Sequence, residues 1–254
     1  MEAVKVVIPI YKNVLSELEK RSLRQVYTVL CAYPLVVVKP VSLDLSELVT
    51  EFPRLRIESF DDIYFAGISG YNRLMLSEHF YERFLDSEYI LIYQLDAYVF
   101  RDELSEWVAK GYDYTGAPWL RKPIYTWPLI STFMRLCHRY ARWKHRPSKQ
   151  DLYDKVGNGG LSLRKVASHL RVVSTRSELI ERYLAVRHHL YNEDVFWATQ
   201  AQGFRYPPVR EALLFAFDKY PAYCFRLTGH RLPFGCHAWY KRKMRAFWKP
   251  IIHF

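Results

Sequence analysis

Apolar positions along the chain follow two periods in turn, and that alternation predicts the fold class. Val4 to Ile10 (VKVVIPI) is a short β-branched run suited to a strand buried on both faces, and Leu35 to Val38 repeats the pattern. Between them Leu15, Leu18, Ser22, Val26, Val29 and Leu30 fall at helical spacing, so the chain opens β-α-β. Leu55 to Ser59 and Tyr89 to Tyr93 (YILIY) predict two further strands, and Tyr71 to Leu85 predicts one helix burying Leu74, Met75, Tyr81 and Phe84. Such alternation implies an α/β fold with a mainly parallel central sheet and helices on both faces, where ligands bind at the carboxyl ends of the strands.

The second half is less regular. Trp107 to Gly111 closes a helix, Tyr112 to Thr115 suits another strand, and Trp127 to His145 reads as a long, basic, aromatic helix. Gly157-Asn158-Gly159-Gly160 marks a turn or a close backbone approach, and Asn192 to Ala201 reads as a short helix capped by Asn192. With no repeat, low-complexity tract or clear linker, the 254 residues read as one domain, large enough to bury a full core.

Charge changes the picture. Lys plus Arg number 37 against 26 Asp plus Glu, a net +11 that attracts phosphates, nucleic acid or an anionic membrane leaflet. The cations crowd Arg135 to Arg146 and Arg226 to Lys249, both interleaved with aromatics. Such a basic aromatic tail suits lipid headgroups, its rings entering the interface, and equally a solvated basic surface. The four cysteines, Cys31, Cys137, Cys224 and Cys236, contain no CxxC pair, so neither a zinc site nor a disulfide framework is indicated. The start of the chain lacks a leader pattern and no apolar run reaches about 18 residues, so a cytoplasmic protein is expected.

Four segments carry candidate chemistry. In Gln94-Leu95-Asp96, directly after the strongest strand, Asp96 is placed to hold a divalent cation in the crevice or to sit in a surface turn. The Gly157 to Gly160 segment lets backbone approach a ligand, with Asn158 offering a donor and an acceptor, or is simply a loop. Glu193 and Asp194 occupy the first turn of a helix, where they serve as dipole partners or as a general base. His237, in Phe234-Gly235-Cys236-His237, is either structural or a ligand to the same cation as Asp96.

Six collinear pieces resemble a bacterial glycosyltransferase-like family of unassigned domains, DUF5672-like, with the GT-A fold. They are Gly70 to Leu74, Gln94 to Asp96, Tyr112 to Trp119 (YDYTGAPW), Val156 to Arg164 (VGNGGLSLR), Glu193 to Phe196 and Phe234 to His237. Glu193-Asp194-Val195-Phe196 is also similar to the acidic motif of inverting β-1,3-galactosyltransferases, whose second acid is the base.

The resemblance implies a nucleotide-binding half over residues 1–100, an acceptor and catalytic half over 101–240, and a basic aromatic tail over 241–254. Pro9, Ile10 and Tyr11 would border the nucleotide, with Asn72, Arg73, Gln94, Asp96 and Lys241 on the donor. Trp119, Asn158, Gly159, Gly160 and Arg164 would meet the acceptor or sugar, although Trp119 suits a core equally well. Asp96 and His237 would hold Mn²⁺ or Mg²⁺, yet Gln94-Leu95-Asp96 keeps only one acid of a DxD motif. Arg164 or Lys241 would help neutralise the departing diphosphate. The implied activity is inverting transfer of a sugar, galactose first, from a UDP-linked donor to a glycan or lipid-linked acceptor in surface polysaccharide or lipopolysaccharide synthesis. Asp194 would act as base beside Glu193. An anionic membrane surface on the inner face of the cytoplasmic membrane is a candidate partner; nucleic acid is not expected. Two alternatives stand beside this one: a nucleic-acid-binding basic module, and a retaining or inactive sugar-nucleotide binder on the same fold.

Overall fold

The computed structural model describes residues 2–144 and 146–254. Its core is a six-stranded sheet in the order β3-β2-β1-β4-β7-β6, where β1 is Glu2–Pro9, β2 Leu35–Pro40, β3 Leu55–Phe60, β4 Ser87–Tyr93, β6 Tyr114–Gly116 and β7 Leu161–Lys165. β3, β2, β1 and β4 pair in parallel, β7 runs against β4, and β6 runs against β7. Five strands therefore point one way and β7 alone is reversed. A second sheet joins β5 (Ala97–Val99), β9 (Gly235–His237) and β8 (Ala216–Phe217), with β9 in the middle.

The strands follow from their sequences. Val6, Val7 and Ile8 of β1 are all fully buried because helices cover both faces of the sheet. Helix Glu17–Val29 starts at Ser16, whose Oγ accepts from Glu19 N–H while Glu19 accepts from Ser16 N–H, a reciprocal cap. Alternation in β7 sends Leu161 and Leu163 to one apolar layer and Ser162 and Arg164 to the other face.

Three expectations change. The stretch Tyr71 to Leu85 forms two helices, Gly67–Met75 and Glu78–Glu82, because Ser77 turns extended and its Oγ accepts from Phe80 N–H, restarting the helix. The long basic helix runs over Pro128–Trp143; the predicted end at His145 lies outside the described residues. The basic tail folds as a helix, Arg242–Ile252, whose Trp248 and Ile252 are enclosed with Phe217, Cys224 and Trp239. Its Trp248 ring is therefore core and cannot enter a headgroup layer, while Arg242, Lys243, Arg245 and Lys249 remain exposed.

Candidate active site

A cavity of about 620 Å³ opens where β1 and β4 end. Reversal of β7 brings its amino end to the same edge, so the turn Asn158 to Gly160 meets the tips of the parallel strands. Pro9, Ile10, Tyr11 and Lys12 form one wall and Gln94, Leu95 and Asp96 the floor. Helix Glu193–Gln200 begins at the same cavity and brings Asp194 to it, and His237 and Lys241 also line it.

The small sheet sets the charge cluster. Its register pairs Ala97 with His237, which puts the imidazole beside Asp96. Nε2 of His237 lies 2.9 Å from Oδ1 of Asp96, and Nζ of Lys241 lies 3.0 Å from Oδ2. On the other side of the ring, Nδ1 lies 3.2 Å from Oδ1 of Asp218 and 3.0 Å from the Asn158 amide. Burial alone would lower the His237 pKa, but the flanking carboxylates of Asp96 and Asp218 lift it to about 9. Burial pushes Asp96 up, and the His237 and Lys241 charges outweigh it, holding the carboxyl well below the usual range.

The resemblance drawn from the sequence implies a divalent cation here, and one orphaned atom tests whether the residues suit it. Nε2 of His237 is buried and, despite its 2.9 Å approach to Asp96, forms no hydrogen bond of acceptable geometry. With the Nδ1 proton donated to Asp218, a neutral ring leaves Nε2 as an acceptor beside a carboxylate oxygen. Two acceptors in that position need a cation between them, either a proton on the ring or a metal ion. A carboxylate behind the ring is also the usual support for a metal-bound histidine. The pair therefore fits a divalent ion as two ligands, although among the described residues no group of three or more His, Cys, Asp or Glu converges on one point.

The two adjacent acids have separate surroundings. Glu193 points under the cavity floor, where Nη2 of Arg164 lies 3.0 Å from each of its carboxylate oxygens. Arg164 also donates to Tyr81 Oη at 3.1 Å and to Ser162 Oγ at 3.0 Å, so its guanidinium is enclosed and satisfied. Asp194 reaches the cavity. Burial, then the Glu193 charge, pushes its carboxyl up to about 7, against donation from the backbone of Val195 and Gly159.

The structure gathers most of the sequence-predicted residues and separates three. Asn72 lines the cavity and accepts from Glu193 N–H through Oδ1, supplying the helix cap expected from Asn192, whose own side chain caps nothing and instead accepts from Asn72 Nδ2. Arg73 lies outside the cavity, on the surface, 3.1 Å from Glu181. Trp119 does not line the cavity either; its six-membered ring packs on Gly157. Arg164 has no exposure at all, so it can touch neither acceptor nor diphosphate.

Gly159 and Gly160 line the cavity, but their lack of a Cβ serves protein neighbours. A methyl group on Gly159 would strike the Glu193 carboxylate, and one on Gly160 would strike the His237 ring. Gly160→Ala is thus expected to displace the imidazole from Asp96 and shift the His237 ring resonances, measured by NMR; an unchanged ring spectrum would show that the methyl group is accommodated without moving it. Sequence reading missed Asp218. The apolar run Leu213 to Phe217 ending in a lone acid is the same signal that picked out Asp96, and would have found it.

Comparison with known proteins now places the chain. The family model described as "Protein of unknown function (DUF5672)" matches residues 54–237. The chain belongs to the DUF5672 family. A search among curated proteins finds no match. Among solved structures, the galactosyltransferase LgtC, in complex with donor and acceptor sugar analogues, aligns with a TM-score of 0.60 and 14% identity over 98% of this chain and 94% of LgtC. Mouse xyloside xylosyltransferase 1 gives 0.54 and 13%, covering 92% and 97% of the two chains. The mannosyltransferase Ktr4p from S. cerevisiae, in complex with GDP, gives 0.51 and 9%, covering 83% and 68%. At these identities the likeness is one of fold: this DUF5672 member has the GT-A glycosyltransferase fold, its central sheet mostly parallel.

Proposed function

We propose that the protein is a glycosyltransferase that moves a sugar from a nucleoside diphosphate to a glycan hydroxyl with inversion at the anomeric carbon. One observation carries the reading: a single cavity holds a cation-demanding pair, Asp96 and His237, and a separate acid, Asp194. The first is what a departing diphosphate needs, the second what an attacking hydroxyl needs.

Lys12 and Lys241 line the cavity as exposed cations and would bind the diphosphate, with Pro9 to Tyr11 against the nucleoside. Asp96 and His237 would hold Mn²⁺ or Mg²⁺, which when bound supplies charge neutralisation at the leaving phosphate. Asp194 would accept the acceptor's proton, since a carboxyl that titrates near neutrality is both basic enough and available at pH 7.5. Glu193 would act through position, its charge committed to Arg164 and its field raising Asp194. UDP is the nucleotide to try first and galactose the sugar, supported by the fold shared with a galactosyltransferase; the GDP complex of Ktr4p makes GDP the next candidate.

Thermal-shift titration with UDP, with and without Mn²⁺, tests the reading. A ligand at a hundred times its Kd stabilises the folded state by about 2.7 kcal/mol, and the shift is expected to be larger with Mn²⁺ and to lose that increment in Asp96→Asn. No shift with UDP, GDP or CMP would remove the nucleotide-sugar reading. NMR of the product's anomeric configuration then decides between inversion and retention.

A further inference from the structure

Helix Pro128–Trp143 has sixteen residues and none of them is buried. It rests on its neighbours along one narrow edge, where Gln150 donates to Met134 O at 2.7 Å and His138 Nδ1 lies 3.1 Å from Ser148 Oγ. The opposite face carries Leu129, Phe133, Leu136, Tyr140 and Trp143, at spacings of four and three residues that put all five on one stripe. Leu129 is 87% exposed and Trp143 69%. Arg135, Arg139 and Arg142 form a second row beside the stripe at the same spacing.

That row has no carboxylate partner among the described residues; Arg135 bonds only to Thr132 of its own helix. None lies nearby in sequence, since from Asp113 to Asp151 the chain carries eight lysines and arginines and no acid between, most of the net +11. An apolar stripe flanked by unpaired cations matches a surface that is apolar beneath and anionic above. A second copy of the helix would cover the stripe but bring no acid to the arginines. Nucleic acid would meet the arginines but leave Leu129 and Leu136 in water.

We propose that helix Pro128–Trp143 lies in the plane of an anionic lipid bilayer, with Leu129, Phe133, Leu136, Tyr140 and Trp143 in the headgroup boundary and Arg135, Arg139 and Arg142 on lipid phosphates. Lipid binding is measured without substrate, so the proposal stands or falls independently of the transferase reading.

The test is co-sedimentation of the intact protein with vesicles of phosphatidylcholine alone or mixed with phosphatidylglycerol. Binding is expected to the mixed vesicles, falling as salt rises. At about 1 kcal/mol for each cation near the surface, R135Q/R139Q/R142Q is expected to lose about a hundredfold in affinity; F133S/L136S should lose binding while melting like the parent. Failure of the parent to bind mixed vesicles overturns the proposal, as does undiminished binding by both variants. A loss confined to K243Q/R245Q/K249Q would move the contact to the last helix. Light scattering that finds a dimer dissolved by F133S/L136S, or oligonucleotide binding in place of vesicle binding, would assign the stripe to a second copy or to nucleic acid.

Discussion

Replacing Arg164 with methionine is expected to destabilise the fold by about 3–5 kcal/mol, the range for breaking a buried ion pair from one side. The guanidinium is fully enclosed and Glu193 has almost no exposure, so the variant leaves a carboxylate in an apolar layer without its counter-charge. Tyr81 and Ser162 lose a donor at the same time. For a chain of this length a loss of that size lowers the Tm by about 6–20 °C, read by calorimetry or urea unfolding. R164M/E193Q should recover part of the loss, because the stranded charge goes with the second substitution. A single variant within about 1 kcal/mol of the parent would mean that water reaches Glu193 and that the pair is not the keystone of this layer.

Asp194→Asn is expected to lower transfer by about 10²–10⁴-fold, the usual range for removing a positioned general base, with nucleotide binding retained. The parent's rate should rise with pH through about 7, as the Asp194 carboxyl ionises, and the residual rate of the variant should lack that step. Glu193 and Asp218 add negative field at this group, and the hydroxyls of Tyr114 and Tyr183 lie within its field. Stability should move the opposite way to activity. In the unfolded chain the carboxyl titrates near 3.8, and in the fold near 7. The proton it retains on folding contributes stability that is fully present below about pH 4 and is lost as pH rises through about 7. Asp194→Asn, neutral throughout, is therefore expected to melt above the parent at pH 8 and close to it at pH 4. Retained transfer, or a melting difference independent of pH, would remove Asp194 from the base role.

Much of the fold is legible in the sequence because its strands are buried on both faces. Val4 to Ile10, Leu35 to Val38 and Tyr89 to Tyr93 are continuous apolar runs, and little but a covered parallel sheet explains them. Helix boundaries are less legible: nothing in the apolar spacing of Tyr71 to Leu85 announces that Ser77 interrupts it. Arg164 shows where pattern reading fails at the site. Leu161-Ser162-Leu163-Arg164 alternates like a strand with one wet face, and an arginine on that face looks available to a ligand. Tyr81, His169 and Trp197 cover it instead, so the polar residues there must satisfy one another. Sequence distance hides Asp218 in the same way, since only the pairing of β8 with β9 brings it behind His237.

The order of these segments along the chain also governs when the cavity can exist during synthesis. Strands β1 to β4 can assemble on the ribosome once residue 93 has emerged, and both acids of helix Glu193–Gln200 follow. Asp96 waits longer, because β9, His237 and Lys241 follow helix Glu193–Gln200 in the chain and β5 has no strand partner until β9 arrives. A nascent chain paused before residue 235 would hold the parallel sheet and the Arg164–Glu193 pair, yet present Asp96 without its two cationic neighbours. Completion of the charge cluster is thereby tied to the emergence of β9 and Lys241, well after the sheet that frames the cavity.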